Sequence, residues 1–166
     1  MSTDLAIFGG EPIRKEPFPA WPRITEYMKR SLIHTFEEEE WGVGSKTITL
    51  FNEQFATMQD AKYCLSIHSG TSAIWICLKA AGIEAGDEVI LPSYTFIATA
   101  TAVVLANAVP VFADIDKKTA NLDPTSVEKL ITKKTKAIIP VHTAGAPADM
   151  KAFLDISKKY NIPIIE

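Results

Sequence analysis

Ser69-Gly70-Thr71 is the stretch of this chain best suited to chemistry. It lies in a polar turn, His68 to Ala73, between two apolar runs. Ahead of it, Tyr63-Cys64-Leu65-Ser66-Ile67 reads as a strand; behind it, Ile74 to Ala81 reads as a helix. A small polar turn at a helix start can present backbone N–H groups to a phosphate. It can equally be an ordinary helix cap, a role that Ser and Thr fill widely. It is not a Walker A loop, because the glycine-rich run and the Lys-Ser/Thr ending are absent. It also has too few glycines for the dinucleotide fingerprint.

Other candidates carry similar pairs of readings. Phe96 is by type a core aromatic, but just past a strand end it could stack on a flat ligand ring. His142 could be a structural histidine bonded to backbone, and no aspartate–serine pair is evident to complete a triad. His68 and His142 could reach one site, yet two histidines without a nearby carboxylate make a poor metal centre. No metal site is expected, and no residue is assigned a catalytic role. Asp114 and Asp116 most simply end a strand and open the Lys117-Lys118 turn. Glu37 to Glu40 reads as a solvated helix end or loop. Trp41-Gly42-Val43-Gly44-Ser45 is flexible backbone around one large aromatic, either a loop over a site or an interface anchor.

The elements that must position these residues follow a regular pattern from residue 61 onward. Strand-like runs are Tyr63–Ile67, Glu88–Leu91, Val109–Ala113, Ala137–Val141 and Ile162–Ile165. Helix-like runs are Thr71–Ala81, Ile97–Leu105, Thr125–Leu130 and Met150–Tyr160. Gly82 is a natural helix stop, and Asp149 is placed to cap the last helix. Short apolar strands separated by helices imply an α/β layered fold with a mostly parallel sheet. In such sheets ligands gather beyond the carboxyl ends of the strands. That rule nominates His68 to Thr71, Pro92 to Phe96 with Tyr94 among them, Asp114 and Asp116, His142 to Gly145, and Glu166.

Residues 1–60 form a separate helical and extended segment ahead of this α/β part at 61–166. Prolines at 19 and 22 keep the early chain extended. Thr25 is placed to cap a helix in which Met28, Leu32 and Phe36 share a face. A second helix is expected from Thr49 to Met58.

Composition narrows the class. With 47% hydrophobic and 22% charged residues, the 166-residue chain has globular proportions. A net charge of -3 offers no footprint for a nucleic-acid backbone, so no nucleic-acid partner is expected. Met1 to Phe8 lacks the marks of a signal peptide, and no apolar stretch reaches membrane-span length. A cytosolic protein with no membrane partner is the expectation. Cys64 and Cys77 lie in apolar runs and read as buried, reduced thiols.

Taken together, an ordered series of motifs resembles the DegT/DnrJ/EryC1/StrS sugar aminotransferase family of pyridoxal-phosphate enzymes. The series runs Ser69-Gly70-Thr71-Ser72-Ala73, then Gly86-Asp87-Glu88-Val89-Ile90, then Pro92 to Ala100. It continues with Pro110 to Asp116, Leu122-Asp123-Pro124, Lys136 to His142, Gly145 and Asp149-Met150. Gly9 to Arg14 and Trp21-Pro22 look most like the branch acting on scyllo-inosose and other cyclitol ketones or keto-sugars.

The resemblance implies the N-terminal part of the large domain of a pyridoxal-phosphate-dependent transferase, incomplete at its C-terminus. It implies pyridoxal 5'-phosphate as cofactor, with Ser69, Gly70 and Thr71 at its phosphate, Phe96 stacked on its ring and His142 beside it. Trp41 and Tyr94 would approach the substrate or a partner subunit. The implied reaction moves an amino group from glutamate or glutamine to a keto-sugar or cyclitol ketone. The family's pyridine-pairing aspartate falls one position after Glu166, and its Schiff-base lysine lies farther along still. The implied assembly is a homodimer, or association with the missing C-terminal part. Two alternatives stand beside the aminotransferase: a non-catalytic binding or regulatory fragment, and part of a pyridoxamine-phosphate-dependent sugar dehydratase. The 166 residues alone are expected to self-associate or to be poorly stable through exposed apolar sheet surface. Sedimentation with thermal melting checks this; a monomer that unfolds cooperatively would count against it.

Overall fold

The computed structural model describes residues 5–39 and 41–166, which fall into two compact units, one ending at Leu65 and the other spanning Ser66–Glu166. In the first unit an extended stretch, with a cis Trp21–Pro22 peptide, leads to helix α1, Glu26–Glu37. Thr25 caps α1 by accepting the Met28 N–H at 3.2 Å. Helix α2, Lys46–Met58, starts three residues before the expected Thr49, because the Ser45 hydroxyl caps it by accepting the Ile48 N–H. Phe36 meets Trp41 edge to face at 5.1 Å. Met28, Leu32 and Phe36 are all exposed, and Ala56 is the one buried apolar residue described in this unit. The glutamate run closes α1 at Glu37 and Glu38; Glu40 lies outside the described residues.

In the second unit, three parallel strands form a sheet in the order β2-β1-β3: β1 Glu88–Pro92, β2 Val109–Ala113 and β3 Thr135–Ile138. Four helices cover it: α3 Gly70–Ala80, α4 Ala98–Leu105, α5 Pro124–Leu130 and α6 Met150–Tyr160. Successive strand residues alternate between faces. Val89, Leu91, Ala137 and Ile139 pack with Leu78 of α3 and Val103 of α4. Ile90 and Ile138 pack on the other side with Val127 of α5 and Phe153 and Ile156 of α6. Both faces of β1 are therefore dry, which is why Val89 to Leu91 reads as an unbroken apolar run; β2 is buried only at Ala113. Phe153 is fully buried, a contribution of about 2–3 kcal/mol.

Helix ends follow local chemistry. Gly82, at φ +80°, ends α3: its N–H meets the Lys79 carbonyl at 3.1 Å, and the Ile83 N–H meets the Leu78 carbonyl at 3.1 Å. Leu78 and Ile83 are buried in the same cluster, completing a Schellman stop. Asp149 caps α6 by accepting the Ala152 N–H at 3.1 Å.

Three sequence expectations need correction. Tyr63–Ile67 joins no sheet among the described residues, since a strand exists only where a neighbour completes its hydrogen bonds. The run at Ala137–Val141 becomes strand only over Thr135–Ile138. Ile139 still donates to the Ile90 carbonyl at 2.8 Å, but the next bond, to the Ile139 carbonyl, would need an N–H at Pro92, which has none. Ile162–Ile165 contributes a single parallel bridge, Ile164 to Ile138. The cysteines also differ: Cys77 is exposed and Cys64 half-buried, both as free thiols. Cys77 sits one residue away from the stripe, Ile74 and Leu78, that α3 turns toward the core. Among the described residues, no helix is long and apolar enough to cross a membrane.

Two outcomes are expected. Ser69→Ala removes the cap of α3 and should lower stability by about 1 kcal/mol, measured by denaturant unfolding. The Asp116 carboxylate is held below its ordinary value of 3.8, first by the Thr119 N–H, then by the Lys118 N–H and the Thr119 hydroxyl. Its support of the turn is full above that ordinary value and is lost as pH falls through the lowered one. Side-chain carboxyl NMR across acid pH should show a midpoint under 3.8.

Candidate functional site

A cavity of about 420 Å³ opens in the second unit at the carboxyl end of the sheet. Its size lies in the range of small-molecule sites. Gly70 and Thr71 reach it from the first turn of α3, Thr95 and Phe96 from the turn after β1, and Thr99 from α4. Ile139, Pro140, Val141 and His142 reach it from the segment after β3, and Glu166 from the chain's last position.

Each wall has a distinct chemistry. At the α3 end, the Ser69 hydroxyl accepts the Ser72 N–H at 3.2 Å and donates to Ser72 Oγ at 3.1 Å. Ser72 Oγ also lies 3.0 Å from His68 Nε2. The N–H groups of Gly70 and Thr71 stand in the first helical turn, where no earlier carbonyl of the helix can accept them. With the helix dipole, equivalent to about half a positive charge, this end favours an anion. A Cβ added at Gly70 would meet nothing within 4 Å, so the backbone there fronts open space.

Ile139, Pro140 and Val141 make an apolar wall, and Phe96 stands 77% exposed at the rim. Phe96 is thus not the core aromatic that its type alone suggests. The turn after β1 puts it outside the packed layers, while Thr95 and Thr99 behind it share a hydroxyl contact at 2.9 Å.

His142 supplies the polar edge. Its Nδ1 accepts the Ala148 N–H at 3.0 Å, so the ring hydrogen sits on Nε2, which donates to Glu166 Oε2 at 2.9 Å. The backbone-bonded reading of this histidine and its place beside the cavity hold together. The arrangement offers an anion-favouring end, an aromatic face, a flat apolar wall and a histidine–carboxylate edge. A planar ring bearing an anionic arm matches all four.

Of the residues nominated from sequence, Gly70, Thr71, Phe96 and His142 line this one cavity. Ser69 adjoins it as the helix cap, its hydroxyl engaged within the turn. Tyr94 is 60% exposed and forms no part of the wall, and Trp41 belongs to the first unit. His68 turns to Ser72 and not to the cavity. Sequence reasoning missed Ile74, Thr99, Ile139 and Pro140; the spacing of four between Thr95 and Thr99 was the available signal for one of them. Among the described residues, no group of three metal-ligating side chains comes together.

Comparison with known proteins agrees with this architecture. The DegT/DnrJ/EryC1/StrS aminotransferase family model matches residues 22–166. The chain is 39% identical, over 171 residues, to the L-glutamine:2-deoxy-scyllo-inosose aminotransferase of Streptomyces kanamyceticus, covering 99% of this chain and 40% of that protein. Among solved structures it superposes on 3-amino-5-hydroxybenzoic acid synthase with a TM-score of 0.86 and 37% identity, covering 89% of this chain and 39% of the other. It also superposes on NtdA of Bacillus subtilis, solved with bound cofactor PMP, with a TM-score of 0.82 and 35% identity, covering 94% and 37%. The chain thus spans about 40% of the length of the curated relatives it matches. With the family match running unbroken over residues 22–166, the chain belongs to the DegT/DnrJ/EryC1/StrS aminotransferase family.

Proposed function

We propose that this chain forms the cofactor-binding wall of an aminotransferase that uses pyridoxal 5'-phosphate and moves an amino group from glutamine or glutamate to a cyclitol ketone or keto-sugar. One observation carries the reading: a single cavity joins the α3 N-terminus, Phe96 and the His142–Glu166 pair. The glutamine:inosose aminotransferase named among the relatives supports the donor and acceptor classes.

The residues present fit this cofactor. A phosphate group would be met by the Gly70 and Thr71 N–H groups and the Thr71 hydroxyl, with open space in front of Gly70 to admit it. Ser69 acts through the cap that fixes those N–H groups in place. Phe96 would offer its face to the pyridine ring, and Ile139, Pro140 and Val141 would give it an apolar wall. His142 holds its hydrogen at Nε2, aimed at Glu166, and so marks the polar edge of the ring. When bound, the cofactor supplies the electron-accepting ring and the carbonyl carbon that carries the amino group.

Amino transfer is proposed for the protein at the length of its relatives, of which this chain spans about 40%. Trp41 and Tyr94 are read as substrate-side or partner-side residues, in line with their exposure. The edge strand β2, with Phe112 and Val109 exposed, supports association with further chain or a second subunit.

Titration of the intact protein with pyridoxal phosphate, followed by near-ultraviolet circular dichroism, tests the reading. Phe96→Ala should weaken binding several-fold, the loss of about 0.5–1.5 kcal/mol of ring stacking. Binding should be accompanied by amino transfer from glutamine to a cyclitol ketone. An unchanged affinity in Phe96→Ala, or no binding by the intact protein, would overturn it. Binding without amino transfer would favour the non-catalytic alternative.

A further inference from the structure

Asn121 lines no part of the cavity, yet its side chain determines how one wall is presented. It is 3% exposed and stands just before α5, on the turn that follows β2. Its carboxamide is occupied on both sides. Oδ1 accepts the Thr143 N–H at 2.9 Å, and Nδ2 donates to the Ala146 and Pro147 carbonyls, each at 3.0 Å. The Thr143 hydroxyl adds a bond to the Ala120 carbonyl at 3.2 Å. The segment 143–147 is therefore docked onto one buried amide at both its ends, through Thr143 and through Ala146 and Pro147. That segment leads directly to Ala148, 5% exposed, whose N–H meets His142 Nδ1 at 3.0 Å.

We propose that Asn121 is a positioning residue for His142. By fixing the 143–147 segment it places the Ala148 N–H on Nδ1. The ring is thereby restricted to the tautomer with hydrogen on Nε2 and aimed at Glu166 Oε2, at the polar edge of the cavity. The residue type follows from the partners. One N–H and two carbonyls converge on this point, and a carboxamide alone offers one acceptor and two donors in a single plane. An aspartate would keep the acceptor and set a negative charge against two carbonyl oxygens. An alanine would take the side-chain partner away from the Thr143 N–H and from the Ala146 and Pro147 carbonyls. The positioning claim stands on this chain's own contacts; its consequence for a ligand rests on the reading of the cavity as a pyridoxal-phosphate site.

Nitrogen-15 NMR of histidine-labelled intact protein reads the tautomer of His142, and pyridoxal-phosphate titration reads the consequence. The unsubstituted protein should show hydrogen on Nε2 and a bare, hydrogen-bonded Nδ1. Asn121→Ala should give a mixture of tautomers and roughly tenfold weaker pyridoxal-phosphate binding, the size of one lost hydrogen bond. Asn121→Asp, of the same shape, should shift His142 in the same direction, and serves where the alanine variant does not fold. Hydrogen on Nδ1 in the unsubstituted protein would overturn the proposal without recourse to any variant. So would a folded variant whose His142 signals are unchanged, whatever its thermal stability. A shifted tautomer with unchanged pyridoxal-phosphate affinity would overturn the link to the cavity. A His142 shift on substitution, in a protein that never binds pyridoxal phosphate, would support the role of Asn121 and defeat the reading of the cavity.

Discussion

Burial of β1 on both faces is the constraint on which the second unit depends. Val89 and Leu91 go into one layer and Ile90 into the other, all fully buried. A strand enclosed this way must lie in the middle of the sheet, with parallel neighbours brought back by helical crossovers. The order β2-β1-β3 follows, with α3 and α4 on one side and α5 and α6 on the other. Losing a large side chain from either layer would cost about 3–5 kcal/mol, a substantial part of what a domain of this size has.

The cavity is a product of that arrangement. Parallel strands end together, so the turns after β1 and β3 open at the same edge of the sheet. The start of α3 comes to that edge as well, bringing partial positive charge without a charged side chain. The wall chemistry is then set by a few choices: a glycine where the backbone must be approached, an aromatic at the rim, and a histidine with its tautomer fixed by a backbone N–H.

What the sequence revealed and what it hid divide along the range of the interactions. The Gly82 stop and the Thr25 and Asp149 caps depend on residues within a turn or two of each other, and they were legible. So was the strand-end rule that nominated Gly70, Thr71, Phe96 and His142. Pairing partners lie far apart in sequence, which is why Tyr63–Ile67 has strand composition yet joins no sheet among the described residues. Exposure of Phe96 depends on the path of a turn and not on its type. Asn121 binds groups 22 to 26 residues ahead of it, a separation that no local pattern encodes. Cys77 missed the core by one helical position.

In the proposed site the start of α3 and the turn after β1 hold the two ends of one planar, anionic cofactor. A crystal structure of the intact protein soaked with pyridoxal phosphate tests it most directly. The expected result is the phosphate within hydrogen-bonding distance of the Gly70 and Thr71 N–H groups and the ring against Phe96. A phosphate bound away from α3, or a ring making no contact with Phe96, would contradict it.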